Sequence, residues 1–471
     1  MTVTPGPRGR ELLRTMLGRR NNPVRMFETL RDRYGEIVRV KVGDTSNFIV
    51  SGVDAAKHVL VDNHRNYSKG PAYELLAAIL GEGLITSEGE HWRRHRRIVQ
   101  PALQKERMHA FVSIMAHAAT VESRRLQGSG GLRGTVDVFP SMMDLALRIV
   151  ARALLGTGVE GKETEIERAL TEVLDHIERL SVSRLRLLEL LPWGSRFRDV
   201  RKRIAMLPTK SNRRFRDAVA SLDTLIYDVI ARRRAALSAH DEPQDLVGQL
   251  LLAKDDGANA LTDVEIRDEV MTMFLAGHET TATSLSWCLH LLATHEKEQT
   301  AVARESIEVL GGRDPQASDL PQLRHARAVF DEAMRLYPPV WRISRFAREQ
   351  DSIDGHEIPR GSVVVVATYL LHRDPRYWDR PAEFDPARFS PESAGQRPRL
   401  AFMPFGAGQR MCIGAAFATA EAQVILSMLC RKLVFEPASG AHPEFEPRVT
   451  LRPKGGLPLR VRTRESWAGA K

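Results

Sequence analysis

The sequence predicts a mainly α protein, one large helical domain with small β-sheets near its N- and C-terminal parts, and three observations predict it. Between Asp54 and about Leu310, apolar residues recur at helical spacing. Strand-like patterns are confined to residues 36–50 (EIVRVKVGDTSNFIV) and to short runs at Val363–Val366 and Leu451–Val461. Over 471 residues, 43% are apolar and 27% charged, a globular composition that excludes disorder, collagen and coiled coil and leaves volume for an internal pocket. No repeat or proline-rich linker divides the chain, so residues 1–471 are expected to form one domain with about the first 20 flexible.

Charge and cysteine usage narrow the function classes. Lys and Arg number 69 against 59 Asp and Glu, a net charge of +10, which admits nucleic acid, an acidic membrane or an acidic protein as partner. No zinc-finger spacing or stacked-aromatic pattern accompanies the arginines, so nucleic-acid binding is not expected. Three scattered cysteines, Cys288, Cys412 and Cys430, suit a reducing compartment, and a cytoplasmic location is expected. The N-terminus lacks the apolar core of a signal peptide, and no apolar run approaches the roughly 18 residues of a membrane span, so no membrane anchor is expected.

Taken in order, the elements begin with a hairpin over 36–50, turning at Gly43-Asp44. Gln127–Gly134 (QGSGGLRG) reads as a surface loop. Thr262 and Glu265 have capping-box spacing, and the apolar positions after them predict a helix of about thirty residues ending near His295. Its middle, Ala276-Gly277-His278-Glu279-Thr280-Thr281, is a polar insertion opened by a glycine that costs a helix about 1 kcal/mol. There Thr280 can bond back to the Ala276 carbonyl and open a groove beside the backbone. Glu332 and Arg335 share a helix face, and the helix stops at Tyr337 because Pro338 and Pro339 cannot continue it. Arg388, about fifty residues on in a Phe384–Phe389 loop, would complete a clamp on a buried Glu332.

The most informative stretch is Phe405-Gly406-Ala407-Gly408-Gln409-Arg410-Met411-Cys412-Ile413-Gly414, ahead of a helical run. Gly406 and Gly408 permit a tight turn, and Cys412 precedes a helix N-terminus, where dipole and amides favour thiolate. A thiolate can serve as axial ligand to haem iron. Other readings fail: Met411 stands where a dinucleotide fingerprint needs its third glycine, and no second cysteine lies near for zinc. His91 and His95 are four residues apart, but Trp92 replaces the glutamate of a metalloprotease helix. Cys288 and Cys430 sit in apolar helical runs and are expected in the core.

Phe405-x-x-Gly408-x-Arg410-x-Cys412-x-Gly414 resembles the haem-binding loop of the cytochrome P450 family at every fixed position. Ala276-Gly277-x-Glu279-Thr280-Thr281 is similar to that family's oxygen-activating helix, Glu332-x-x-Arg335 to its ExxR, Pro386-Ala387-Arg388-Phe389 to its aromatic-arginine loop, and Trp92-x-x-x-Arg96 to its propionate-binding helix. The motifs fall in the family's order and span roughly residues 20–463.

The resemblance implies haem b (iron protoporphyrin IX) with Cys412 as axial thiolate, Phe405 beside the sulfur, and Gly408 and Gly414 shaping the loop. It implies Trp92, Arg96, Arg345 and Arg410 as propionate partners, with Ala276 and Gly277 against the cofactor. Thr280 would hydrogen-bond dioxygen and Glu279 help relay protons; Glu332, Arg335 and Arg388 would be scaffold.

The activity implied is insertion of one oxygen atom of O2 into a hydrophobic substrate, by hydroxylation or epoxidation. Electrons would come from a separate ferredoxin and ferredoxin reductase, or a flavodoxin, docking near Arg93, Arg94 and Arg97. Pro71–Ile85 would form the loop over the distal pocket, with Phe274, Ala276, Val340, Trp341 and Ile343 as further pocket residues and Arg342 facing any substrate carboxylate. The AGHETT and YPPVW sequences resemble the branch holding fatty-acid hydroxylases, which suggests a fatty acid or terpenoid substrate. Two alternatives stay open: a peroxide-using or non-oxidative haem-thiolate enzyme, which the Glu279-Thr280 pair disfavours, and a haem-based ligand sensor.

Overall fold

The computed structural model describes residues 4–464 except 18–21, 43, 71–72, 74–75, 78–79, 104–106, 130–133, 157–160, 183–208, 238–242, 244, 255–258, 396 and 441–442. Its axis is the 32-residue helix Asp263–Thr294. That helix starts at the capping box foreseen from sequence: the Glu265 amide donates to Thr262 Oγ1 (3.2 Å) and the Thr262 amide to Glu265 Oε2 (2.8 Å). Apolar residues lie buried all round it, as expected of a helix that runs through a core.

Two apolar clusters flank this central helix. On one side, the helices Met108–Ser129, Val138–Leu155, Arg324–Leu336 and Ala415–Lys432 bury Phe111, Met115, Leu145, Phe330 and Leu426 against Leu285 and Trp287. The Trp287 ring stacks on Tyr337 at 4.0 Å, and its indole N–H donates to the Leu451 carbonyl (2.9 Å). On the other side, the helices Glu163–Val182, Lys210–Ala236 and Leu246–Leu252 join Ile266, Val270 and Phe274. Cys288 and Cys430 are buried. Helix Met108–Ser129 includes Gln127–Ser129, so the loop expected from Gln127 begins later than the glycines suggested; residues 130–133 lie outside the described residues.

The strands occupy the early and late parts of the chain. The main sheet holds β1 (Ile37–Val42), β2 (Thr45–Val50), β3 (Tyr67–Ser68), β5 (Ile343–Ala347) and β8 (Val363–Val366) in the order β1-β2-β8-β5-β3. The β2–β8 pairing is parallel, Asn47 opposite Val363, and its other pairings are antiparallel. A three-stranded sheet joins β4 (Thr135–Asp137), β12 (Pro458–Thr463) and β9 (Leu433–Pro437); β6 (Asp351–Ile353) pairs β7 (His356–Ile358), and β10 (Phe445–Pro447) pairs β11 (Leu451–Pro453). The run expected over Leu451–Val461 is thus two strands in different sheets, parted by the positive-φ pair Gly455 and Gly456.

A polar hub links the Arg324–Leu336 helix to the cysteine loop. Glu332 accepts from Arg335 Nε (2.6 Å), Arg335 Nη2 (2.7 Å) and the Asp385 amide (2.9 Å), and Arg388 Nε lies 3.4 Å from it; Glu332, Arg335 and Arg388 are buried. Arg335 also donates to the carbonyls of His372, Pro381 and Glu383. His372 Nε2 accepts from the Met403 amide (2.9 Å), which requires an unprotonated nitrogen.

Burial, with Arg373 and Arg335 nearby, holds the His372 pKa down to about 3. In the unfolded chain His372 takes up its proton near pH 6.5, so its contribution to stability is full above that pH and is lost as pH falls toward 3. Replacing His372 with Gln should therefore flatten the slope of unfolding free energy against pH between 4 and 6 by about 1.4 kcal/mol per pH unit. Denaturant titrations of both proteins across that range measure it; equal slopes would rule out a neutral, buried His372.

Candidate active site

The loop from Phe405 to Gly414 is folded by its own backbone. The Cys412 amide donates to the Phe405 carbonyl (2.9 Å), the Met411 amide to Gly408 (3.1 Å) and the Gly406 amide to Met403 (3.0 Å). At Gly408, φ is +70° and an added Cβ would stand 2.1 Å from the Leu60 carbonyl oxygen, so only glycine lets the loop dock on that segment. Gly414 caps the Ala415–Lys432 helix.

The Cys412 side chain reaches solvent yet is surrounded by protein. Burial raises its thiol pKa above the ordinary value, while the Gly414 amide and Arg96 pull it down without prevailing. This corrects the expectation that the helix terminus alone favours thiolate: the dipole argument omits desolvation. A bound metal cation would deprotonate such a thiol outright.

Four cations gather beside this loop. Arg410 lies over the Trp92 ring, 3.8 Å from its centroid, and donates to the Ser87 carbonyl (3.0 Å). Arg96 donates to Met411 O (2.8 Å), Arg345 to Ser344 O (3.0 Å), and Lys69 to the carbonyls of Leu84 (2.8 Å), Ile85 and Ser87 (3.4 Å). Burial, then Arg410 and Arg345, drives the Lys69 pKa down to about 6. Burial, with Arg345 and Arg96 adding to it and Glu88 opposing, holds Arg410 at about 10, and burial lowers Arg96 and Arg345 as well. The Glu88 carboxylate opposes these shifts at Lys69, Arg345 and Arg410, and Glu269 does so at Lys69. A thiol in want of a metal cation and a surplus of cations in want of a dianion together fit haem, with its iron and two carboxylates.

Lys69 escaped the sequence reading. It belongs to no motif, and a single lysine before a loop carries no signal.

On the central helix, Thr280 Oγ1 donates to the Ala276 carbonyl (2.6 Å), the back-bond its spacing predicted. Ala276, Gly277 and Thr280 are half-buried, whereas Glu279 is buried and its Oε1 accepts from Thr450 Oγ1 (2.6 Å). Thr450 lies just ahead of β11, 171 positions from Glu279, a pairing no local pattern could announce.

The expected pocket residues divide. Ile343 is half-buried, its Cδ1 3.6 Å from where a Gly406 Cβ would stand. Phe274 is fully buried in the apolar cluster, and its half-buried neighbour Leu275 has the more open position. Trp341 is core as well, its ring centroid 5.6 Å from that of Phe27 and its indole N–H donating to the Arg448 carbonyl (3.2 Å). Val340 is 41% exposed on the surface. Arg342 lies over Trp341 at 4.8 Å. Within 71–85, residues 71–72, 74–75 and 78–79 lie outside the described residues. Of the arginines expected to face a redox partner, Arg93 pairs with Glu90 and Arg97 is exposed, but Arg94 turns inward to Glu265 (2.6 Å).

The cytochrome P450 family model matches residues 4–459. Cyclooctatin synthase of Streptomyces melanosporofaciens is 34% identical over 96% of this chain and 93% of its own, and pentalenene oxygenase of Streptomyces avermitilis is 31% identical over 88% of each. The crystal structure of the cytochrome P450DA heme domain superimposes with a TM-score of 0.84 at 25% identity, covering 99% of this chain and 98% of that one. The chain belongs to the cytochrome P450 family and is a monooxygenase of it. The family carries haem on a cysteine thiolate and uses O2, a hydrophobic substrate and a redox partner. Among the described residues, no helix is long and apolar enough to cross a membrane.

Proposed function

We propose that this chain oxidises a terpenoid-like substrate on haem b held by Cys412, with electrons from a separate ferredoxin. The observation that carries the cofactor assignment is the convergence of the Cys412 loop with four half-buried cations, one of which, Arg96, bonds to the loop at the Met411 carbonyl. Arg96, Arg345, Arg410 and Lys69 hold the two carboxylates, and Trp92 supports Arg410 from behind. When bound, the haem supplies the activation of dioxygen. Thr280 presents a hydroxyl that can leave the Ala276 carbonyl and pass a proton into the groove, and Glu279, fixed by Thr450, is the acid that restores it. Leu275 and Ile343 exclude water from the substrate side.

Two of the similar chains are a cyclooctatin synthase and a pentalenene oxygenase, which supports a terpenoid over a fatty acid. Arg93 and Arg97 offer the exposed positive charge an acidic ferredoxin would meet, and a cytoplasmic setting goes with such a partner. Reconstitution with a surrogate ferredoxin and reductase tests the reading: cyclic terpenoids should raise NADPH consumption with matching product, and fatty acids should do so less. Product from fatty acids alone would overturn the substrate assignment.

A further inference from the structure

We propose that His91, His95 and Glu265 bind a divalent transition cation of the zinc type where the Gly89–Val99 helix meets the start of the central helix. His91 and His95 lie one helical turn apart with ring centroids 4.1 Å from each other. One ligand atom from each of them and one from Glu265 all fall within 4.8 Å of one another. With metal–ligand bonds of about 2.1 Å, ligand atoms in a tetrahedral site stand about 3.4 Å apart, so the side chains need close in by only about an ångström. His91, 35% exposed, makes that move by giving up the contact of its Nε2 with the Glu82 carbonyl (3.2 Å).

The second observation concerns His95, which is fully buried. Its Nδ1 lies 2.7 Å from Oε1 of buried Glu269, and its Nε2 lies 3.1 Å from Oε1 of Glu265. A carboxylate behind the imidazole, fixing its ring and its tautomer, is the outer-shell arrangement of metal-bound histidines. Glu265 is oriented too: its Oε2 accepts from the Thr262 amide (2.8 Å) and hydroxyl (2.9 Å), which leaves Oε1 facing the histidines. On binding, the N–H bond at His95 Nε2 breaks, Nε2–metal and Oε1–metal bonds form, and one proton leaves to solvent. The Glu82 carboxylate, 4.0 Å from His91 Nε2 and exposed, is placed to serve as a fourth ligand.

One group competes. Arg94 Nη1 is 2.6 Å from the same Glu265 oxygen and must give it up, keeping its bond to the Ala260 carbonyl (3.2 Å). Two imidazoles and a carboxylate select zinc, nickel or copper over magnesium or calcium.

Calorimetric titration of Zn2+ into the haem-loaded protein tests the site, run in two buffers of different ionisation enthalpy. One Zn2+ should bind per chain with release of about one proton. His91→Ala and Glu265→Gln should each weaken binding by at least tenfold, whereas Arg94→Leu should tighten it several-fold. Glutamine at 265 preserves the capping box, and the Soret band of each variant checks that haem and fold persist. No binding below about 1 mM Zn2+, or binding unchanged in both His91→Ala and Glu265→Gln, would overturn the proposal.

Discussion

Serine at position 412 should abolish monooxygenase activity and remove the thiolate-type Soret band of the reduced, carbon monoxide-bound protein. The loop is built by backbone bonds, so the Cys412 amide still reaches the Phe405 carbonyl whatever the side chain. A hydroxyl retains the volume and loses the soft, readily ionised donor that iron requires here. Neither remaining cysteine can substitute, since Cys288 and Cys430 are buried and burial raises both thiols. Spectra of the wild type and of Cys412→Ser, recorded side by side, decide it. An unchanged band in the variant would mean that another residue holds the iron.

Replacing Glu332 with Ala should destabilise the protein by about 3–5 kcal/mol, because it leaves buried cations uncompensated. Arg335 and Arg388 both face Glu332 from buried positions, and the Asp385 amide would lose its acceptor too. Denaturant midpoints measure the loss, and retention of haem reports whether it spreads through His372 and Met403 to the cysteine loop. A cost under about 1 kcal/mol would show that the carbonyls of His372, Pro381 and Glu383 hold Arg335 without its carboxylate.

Legibility followed the range of the forces involved. The capping box at Thr262, the Thr280 back-bond, the stop at Tyr337 and the turn through Gly408 are settled within four or five residues, and each stands where its local pattern placed it. Which face of the central helix opens toward the site was not legible: with apolar residues buried all round it, periodicity carries no phase, and Phe274 and Leu275 read alike. Trp341 sits in a segment that looked like pocket lining, but Phe27 and the Arg448 carbonyl claim it from distant parts of the chain. Lys69 and Thr450 meet their partners only after folding. The direction of the Cys412 shift depends on desolvation, which no sequence window contains.

The crowding of Lys69, Arg96, Arg345 and Arg410 has a consequence for the making of the protein. A region that holds like charges together against burial is spring-loaded, and on the proposed assignment its counter-charge arrives only with the cofactor. Haem uptake then belongs to the folding equilibrium itself: stability grows with the logarithm of free haem above its dissociation constant, about 2.7 kcal/mol at a hundredfold excess. The abundance of this protein in a cell would follow the supply of its prosthetic group as well as the rate of its synthesis, with chains made in haem shortage passing to proteases before they reach their working form.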